Sequence, residues 1–143
     1  YVASMYAAPL MIGQPKGLIA NISSFGGGSF QLNVAYGVGK AGVDRLARDM
    51  AHDLKPHAIA SVSLWPGIVR TERIMAAADQ LPFDMSNTES PQFTGRGIMA
   101  LYNAPDLMEE TGKRLIVAEL AQKYGIDSNG IMEGVKRLME RVN

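Results

Sequence analysis

Two short apolar segments separated by a long amphipathic helix constrain the fold of this chain most strongly. Residues 17–23 and 58–65 are rich in aliphatic side chains, and short apolar runs of this kind are typical of buried strands. Between them, six residues recur at helical spacing and would share one stripe, namely Tyr36, Lys40, Val43, Ala47, Met50 and Leu54. The charged residues in the same stretch, Asp44 included, are expected to lie off that stripe. A strand, a helix and a strand in this order predict a parallel βαβ unit.

The remaining segments continue the alternation of helices and strands. Residues 1–11 have the composition of a helix end, which the following Gly and Pro residues would stop. Ser90 and Pro91 predict a helix that ends near residue 103, residues 71–89 predict a lid of loops or short helices, and residues 115–120 predict a third strand. A last amphipathic helix is indicated by Ile131, Val135, Leu138 and Val142. Residues 1–143 are therefore expected to form a single α/β domain with a parallel sheet.

The charge and composition of the chain exclude several classes of function. The formal net charge is zero and the sequence has no basic stripe, so we expect no binding to nucleic acid. Cysteine is absent, which excludes disulfides and thiolate metal sites and fits a cytoplasmic protein. His52 and His57 lack the paired spacing of metal ligands, so no metal site is expected. No apolar run approaches the roughly 18 residues that span a bilayer, so no transmembrane segment is expected either.

Tyr36 and Lys40 are the strongest candidates for chemistry. They lie four residues apart, so their side chains would meet on one face of the helix. A lysine on an inward face is costly unless it faces a polar cleft, and a nearby ammonium favours the phenolate form of a tyrosine. Together the two groups suit general acid/base catalysis near neutral pH. Taken from the residues alone, a half-buried Tyr36 beside a Lys40 that reaches out to water remains an alternative.

Polar residues follow both predicted strands at the points where the strands end. Ser23 and Ser24 end the first strand, Pro66 and Gly67 end the second, and Thr71 follows four residues later. The carboxyl ends of parallel strands lie at one edge of a sheet, where ligands bind, so a serine hydroxyl there could hydrogen-bond a substrate carbonyl. Thr71 could act as a further hydrogen-bond donor. Loop capping by the serines and helix capping by Thr71 are the alternatives.

Taken together, these motifs resemble the short-chain dehydrogenase/reductase family. The resemblance rests on the order and spacing of Ser24, the segment Tyr36-Gly-Val-Gly-Lys40 and the segment Pro66-Gly67-Ile-Val-Arg-Thr71. Each motif is weak by itself, whereas the ordered set is specific, and it covers at least residues 1–71. The resemblance implies a Rossmann-like, doubly wound parallel sheet. This chain would supply its C-terminal half, about three strands with flanking helices.

The resemblance also implies an NAD(P)-dependent oxidoreductase and a role for each matching residue. Tyr36 would exchange a proton with the substrate oxygen, Lys40 would assist it, and Ser24 would polarise the substrate carbonyl. Tyr36 and Lys40 would also contact the cofactor, whose nicotinamide end would be bound by the loop residues Pro66, Gly67, Ile68, Val69 and Thr71. The cofactor would be NADP or NAD, with NADPH favoured, and the substrate a small apolar carbonyl or alcohol. The full-length protein is expected to be a homo-oligomer.

Two departures from the family pattern modify these expectations. Ser24 lies twelve residues before Tyr36, one fewer than in many members, and Ser23 lies thirteen before it. Ser24 is chosen because the second serine of such a pair usually acts in this family. The family's glycine-rich dinucleotide turn and the rest of its nucleotide-binding half do not occur ahead of these motifs, so the chain is expected to be a truncated piece without turnover of its own. The alternatives are a non-catalytic packing or dimerisation module, and a relative that uses the same residue pair for epimerisation or dehydration.

Residues 37–42 match the pattern G-x-G-x-x-G and offer a rival dinucleotide turn. That pattern expects a strand before it and an acidic residue about 20 residues later. The segment Leu64-Trp65-Pro66-Gly67 supplies no acidic residue at that distance. We therefore expect these glycines to permit close packing of the helix.

Overall fold

The computed structural model describes residues 1–80, 85 and 88–126, and its centre is a three-stranded parallel sheet. The strands are β1 (Gly17–Ile22), β2 (Ile59–Trp65) and β3 (Arg114–Ile116), in the order β1-β2-β3. The helices are α1 (Val2–Met11), α2 (Val34–Leu54), α3 (Glu72–Ala76), α4 (Pro91–Asn103) and α5 (Val117–Lys123). The α/β class and the parallel sheet predicted from the sequence are confirmed.

The register of the sheet brings two strand ends to the same edge. β1 pairs with β2 from Gly17 opposite Ile59 to Ile22 opposite Leu64. The pairing continues one step further, because the Ser23 N–H donates to the Leu64 carbonyl at 2.8 Å. The segments that follow β1 and β2 therefore leave the sheet side by side, which is the arrangement that positions the site.

Helix α2 has clear start and stop points. The Asn33 side-chain oxygen accepts from the Tyr36 N–H at 2.9 Å and caps the helix, so Tyr36 lies in its first turn. The helix ends at Leu54, and the chain enters β2 through Ala58, whose φ of 55° lies in the left-handed region. Ala47 and Met50 are buried, as the predicted stripe requires.

Helices cover both faces of the sheet. On one face, Ala60, Val62 and Leu64 of β2 join a core with buried side chains from α4 and α5. Successive side chains of a strand point to opposite faces, so Ser63 and Trp65 face α2 instead, where both donate hydrogen bonds to that helix. This is the doubly wound arrangement that the family resemblance implies.

The start of α4 follows the prediction, whereas the third strand does not. Ser90 Oγ accepts from the Phe93 N–H at 3.2 Å, and Pro91 occupies the first turn of the helix. The predicted strand over residues 115–120 is wrong beyond Ile116, because residues 117–123 form α5. Buried residues of α5 recur at helical spacing, and a short apolar run cannot be assigned to a strand or a helix by its periodicity.

Short helical turns occupy the segments that follow β1 and β2. The glycine-rich segment after β1 contains a 3₁₀ turn at Phe25–Gly27, in which Phe25 and Gly26 are buried. Within the predicted lid, the described residues form α3 and a short turn, Ala78–Gln80. The predicted last helix, with Ile131, Val135, Leu138 and Val142, lies outside the described residues.

Candidate active site

The hydroxyl groups of Ser24 and Tyr36 meet at the edge of the sheet. Ser24 Oγ and Tyr36 Oη lie 2.8 Å apart, and either oxygen can be the donor. Ser24 reaches this position because its extended backbone leads from β1 into the 3₁₀ turn, which its side chain caps by accepting from the Gly26 N–H at 3.2 Å. The phenol ring lies against Gly26, where an added Cβ would be 2.5 Å from a ring carbon. The turn therefore fits the tyrosine because it has a glycine at this point.

Lys40 lies one helical turn beyond Tyr36 on the same side of α2. Its Nζ is 5.8 Å from the centre of the Tyr36 ring and donates a long hydrogen bond, 3.4 Å, to the Ile22 carbonyl. Only weak hydrogen bonding restrains the ammonium, which leaves most of its donor capacity unused among the described residues. The structure thus brings Ser24, Tyr36 and Lys40 together at one place.

The neighbouring serine faces the other way. Ser23 is buried, and its Oγ donates to the Lys40 backbone carbonyl at 3.1 Å. The two adjacent serines therefore contact different parts of α2, because side chains alternate along extended backbone. Ser24, not Ser23, makes the contact with the tyrosine hydroxyl.

The loop after β2 leaves the same edge of the sheet. The Gly67 N–H donates to Glu89 Oε1 at 2.9 Å, and Val69 forms an isolated parallel bridge with Glu89. Thr71 caps α3, accepting from the Ile74 N–H at 3.4 Å, which was the alternative to a ligand contact. Side chains of this loop make no hydrogen bond to the Ser24–Tyr36 pair, so the loop shares the edge without joining the pair.

Glu89 is a residue that sequence reasoning missed. Its side chain is fully buried beneath the Gly67 loop, and burial raises the pKa of its carboxyl although the Gly67 N–H opposes the rise. Its Oε2 has no hydrogen-bond partner among the described residues. Nothing in the sequence distinguishes this carboxylate from an exposed one, because its partner is a backbone N–H distant in the chain.

Asp44 was expected to lie outside the stripe, and that expectation was wrong. Its carboxylate faces the sheet and accepts hydrogen bonds from Ser63 and Trp65 of β2. The spacing could have revealed it, since Asp44 follows Lys40 by four residues and Tyr36 by eight. Because Asp44 is charged, it was expected to face solvent. Two buried hydrogen-bond donors on β2 instead allow its carboxylate to face the sheet.

The chemistry available at this edge is proton transfer. A phenol, an alcohol and an ammonium lie together, and they can donate and accept protons and stabilise an oxyanion. The described residues contain no group of three histidine, cysteine or acidic side chains that could hold a metal ion. None of the described helices is both long and apolar enough to cross a bilayer.

Comparison with known proteins identifies the family. The family model for short chain dehydrogenases matches residues 1–82, which include Ser24, Tyr36, Lys40 and the loop after β2. The chain belongs to the short-chain dehydrogenase family.

Relatives and solved structures agree with this membership. Dehydrogenase/reductase SDR family member 1 of Mus musculus is 43% identical over 137 residues, 88% of this chain and 44% of the relative. The protein of the same name from Homo sapiens is 40% identical with the same coverage. This short-chain dehydrogenase chain therefore spans less than half the length of the curated relatives that it matches.

Three solved structures share the fold. A short-chain type dehydrogenase/reductase from Mycobacterium marinum has a TM-score of 0.66 and 26% identity, covering 80% of this chain and 48% of that one. 4-Hydroxyisoleucine dehydrogenase complexed with NADH has a TM-score of 0.61 and 25% identity, with coverages of 80% and 50%. ElxO with NADP bound has a TM-score of 0.67 and 26% identity, with coverages of 82% and 51%.

Proposed function

We propose that this chain supplies the catalytic half of an NAD(P)-dependent oxidoreductase that reduces a carbonyl or oxidises an alcohol. The observation that supports it most directly is the 2.8 Å contact between Ser24 Oγ and Tyr36 Oη, with Lys40 on the next turn of the same helix. Family membership favours the same activity. Solved relatives bound to NADH and to NADP favour a nicotinamide cofactor.

Tyr36 is the proposed general acid and base. In reduction its hydroxyl donates a proton to the carbonyl oxygen, and in oxidation the phenolate removes the alcohol proton. Ser24 Oγ already accepts from the Gly26 N–H, so its own proton is available for the substrate oxygen that Tyr36 also contacts. The Lys40 ammonium, beside the ring, stabilises the phenolate that remains after proton donation.

The residues at this edge fit a nicotinamide cofactor. Lys40 has donors left for ribose hydroxyls, because its single hydrogen bond is long. The N–H groups of Ile68 and Val69 donate to no described residue, so they are available to a carboxamide oxygen. Thr71 accepts from the Ile74 N–H and keeps its own proton for a ligand, while Pro66 and Gly67 set the direction of the loop. When bound, the nicotinamide supplies or accepts the hydride.

We propose NADP or NAD as the cofactor, with NADPH favoured by the resemblance, and a small apolar substrate. Met75 lies on α3, four residues after the cap residue Thr71, and its side chain is half exposed. A methionine side chain adapts its shape to apolar ligands. An apolar carbonyl would be held by such a side chain while its oxygen meets Tyr36 and Ser24.

The experiment is a turnover assay of the full-length natural protein. Purified protein is incubated with NADPH or NADH and a series of small apolar aldehydes and ketones, and cofactor absorbance is followed. We expect carbonyl-dependent consumption of one cofactor, and the reverse reaction with the matching alcohol. Absence of turnover in both directions, with no cofactor binding by calorimetry, would contradict the proposal.

A further inference from the structure

Asp44 joins the helix that bears Tyr36 to the central strand. Its Oδ1 accepts a hydrogen bond of 2.5 Å from Ser63 Oγ and another of 3.0 Å from Trp65 Nε1. Both donors lie on the α2 face of β2, two residues apart. The bond from Ser63 is short for an O–H donor, and such short hydrogen bonds to a carboxylate are among the stronger ones in proteins. One carboxylate therefore fixes the distance between α2 and β2 in the middle of the helix.

The same carboxylate lies directly beneath the turn that holds Ser24. Asp44 Oδ2 is buried and has no partner among the described residues, and a Cβ added at Gly27 would clash with it. The backbone of the Phe25–Gly27 turn thus packs directly on the carboxylate. A residue larger than glycine at position 27 would prevent this close packing.

The Trp65 ring transmits this constraint to the turn. Its N–H is held by Asp44, while its ring packs on Phe25 with centroids 5.1 Å apart. A Cβ added at Gly28 would lie 2.8 Å from the ring, so the turn touches the indole at both of its ends. Arg114 covers the ring, with its guanidinium carbon 4.4 Å from the centroid. The indole is held in one orientation and forms the support of the segment from Ser24 to Gly28.

We propose that Asp44 is a positioning residue for the Ser24–Tyr36 pair. Through Ser63 it holds α2, and so Tyr36, against the sheet. Through Trp65 it holds the turn that orients Ser24 Oγ. Both hydroxyls are thereby set relative to the same strand, β2. This role deepens the proposed oxidoreductase function and rests on it.

The test compares two aspartates of the same helix in the full-length protein. Asp44→Ala should lower kcat by about 10- to 100-fold, the loss expected when reacting groups are displaced by about 1 Å. The KM for the cofactor should stay within about twofold, because the Asp44 side chain hydrogen-bonds Ser63 and Trp65 and none of the residues proposed to bind the cofactor. Asp49→Ala is the matched control, since Asp49 pairs with Arg45 at the surface of α2, and its kcat should be unchanged.

Two further variants keep the proposal testable if Asp44→Ala does not fold. Ser63→Ala removes only one hydrogen bond to Oδ1, whereas Trp65→Phe removes the other together with part of the ring that packs on Phe25. Each should lower kcat several-fold at an unchanged cofactor KM. A purely structural role would lower Tm and leave kcat per folded molecule intact, and that result would overturn the proposal. If the wild type turns over while all three variants keep full kcat, only the positioning role fails. If the wild type has no turnover, the proposed function itself fails, and the positioning role fails with it.

Discussion

At the scale of single residues, the two adjacent serines at the end of β1 make different contacts with α2. Ser24 Oγ lies against the Tyr36 hydroxyl, whereas Ser23 Oγ is buried and holds the Lys40 carbonyl of α2. The Ser24 hydroxyl is the proposed contact to the substrate, whereas the Ser23 hydroxyl joins the end of β1 to α2. This division gives two separable expectations for two neighbouring substitutions.

Ser24→Ala and Ser23→Ala should differ in their kinetics. We expect Ser24→Ala to lower kcat/KM by about 10- to 100-fold, somewhat below the loss of a strong oxyanion donor, and to lower the free energy of unfolding by about 1 kcal/mol because the cap of the 3₁₀ turn is lost. Ser23→Ala should also lower the free energy of unfolding by about 1 kcal/mol, the worth of one hydrogen bond, but leave kcat/KM nearly unchanged. Steady-state kinetics and urea unfolding of both variants would check this. A loss of kcat/KM in Ser23→Ala beside a normal value in Ser24→Ala would show that Ser23 is the reactive serine.

Glu89 gives an expectation for stability against pH. Burial raises the pKa of its carboxyl above the ordinary value of 4.5, so the folded state binds this proton more tightly than the unfolded chain does. The stability contributed by the protonated form is therefore complete below the ordinary pKa and is lost as pH rises through the raised value. Glu89→Gln stays neutral and can still accept from the Gly67 N–H.

The free energy of unfolding of Glu89→Gln should accordingly exceed that of the wild type by an amount that grows as pH rises from about 4 to about 7. Urea unfolding at several pH values measures it. Glu119→Gln, which changes an exposed carboxyl on α5, is the control and should show no such growing difference. A constant difference between Glu89→Gln and the wild type would contradict the assigned direction of the pKa.

The meeting of Tyr36, Lys40 and Ser24 could be predicted from the sequence. The helical spacing of Asp44 was overlooked, and the burial of Glu89 could not be predicted. Spacing of four on a helix placed Tyr36 beside Lys40, and strand order placed Ser24 at the same edge. Asp44 and Glu89 were missed because a carboxylate becomes buried only where the folded chain provides hydrogen-bond donors for it. Those donors, Ser63, Trp65 and the Gly67 N–H, are distant in sequence and meet the carboxylates only after folding.

At the scale of elements, the fit between the Phe25–Gly27 turn and the first turn of α2 determines the geometry of the candidate site. The ring of Tyr36 leaves no room for a side chain at Gly26, whose backbone N–H also binds Ser24 Oγ. The turn and the helix consequently form one packed unit, and a substitution in the turn should displace the Tyr36 side chain.

Gly26→Ala should therefore lower kcat at least about tenfold, because the added methyl group must push the Tyr36 ring aside. A displacement of about 1 Å of a reacting group can cost about 100-fold in rate. Gly95→Ala is the matched control, since nothing lies within 4 Å of a Cβ at this position in α4. In a helix interior that change should raise the free energy of unfolding by about 0.5–1 kcal/mol and leave kcat unaltered. Kinetics and urea unfolding of both variants decide the matter, and a normal kcat in Gly26→Ala would refute the coupling of turn and helix.

Elements with strong end signals were predicted correctly, and those without were not. α2 and α4 have capping residues, Asn33 and Ser90, and β2 is bounded by a polar turn and by Pro66. The boundary between β3 and α5 has no side-chain cap, so the apolar run across it was taken for one strand. Tertiary packing of α5 against α4 and the sheet, which a local pattern does not contain, decides that boundary.

At the scale of the whole molecule, exposed apolar side chains lie on α1 and around the start of α2. No residue of α1 is buried, and Tyr6 and Leu10 are about three-quarters exposed. Phe30, Val34 and Val38 are exposed to a similar degree before and within α2. Exposed apolar patches mark interfaces, and we propose that a second copy of the protein covers the apolar side chains at the start of α2 in a homo-oligomer.

Val38→Lys should then shift the full-length protein towards monomer, because a charge in an apolar interface loses its hydration. Light scattering coupled to size-exclusion chromatography measures the mass. Met99→Lys, an equally accessible apolar position on α4, is the control and should leave the mass unchanged. An unaltered oligomer in Val38→Lys, or a monomeric wild type, would exclude this surface as the interface.

The fold class followed from strand–helix alternation, and the family from the ordered motifs. The extent of the domain, taken as residues 1–143, stays a prediction. The chain spans 44% of its curated relatives, so the activity of the whole protein also stays a proposal.

The most direct test of the central claim is the turnover number of Tyr36→Phe in the full-length protein, measured at saturating cofactor and substrate. The substitution removes only the phenolic oxygen, and the loss of a general acid/base should lower kcat at least about 100-fold. Tyr102→Phe, which changes a tyrosine on α4 whose ring lies under Lys16, should retain the wild-type rate. A near-normal kcat in Tyr36→Phe would contradict the account, because proton transfer would then not depend on the hydroxyl that Ser24 contacts.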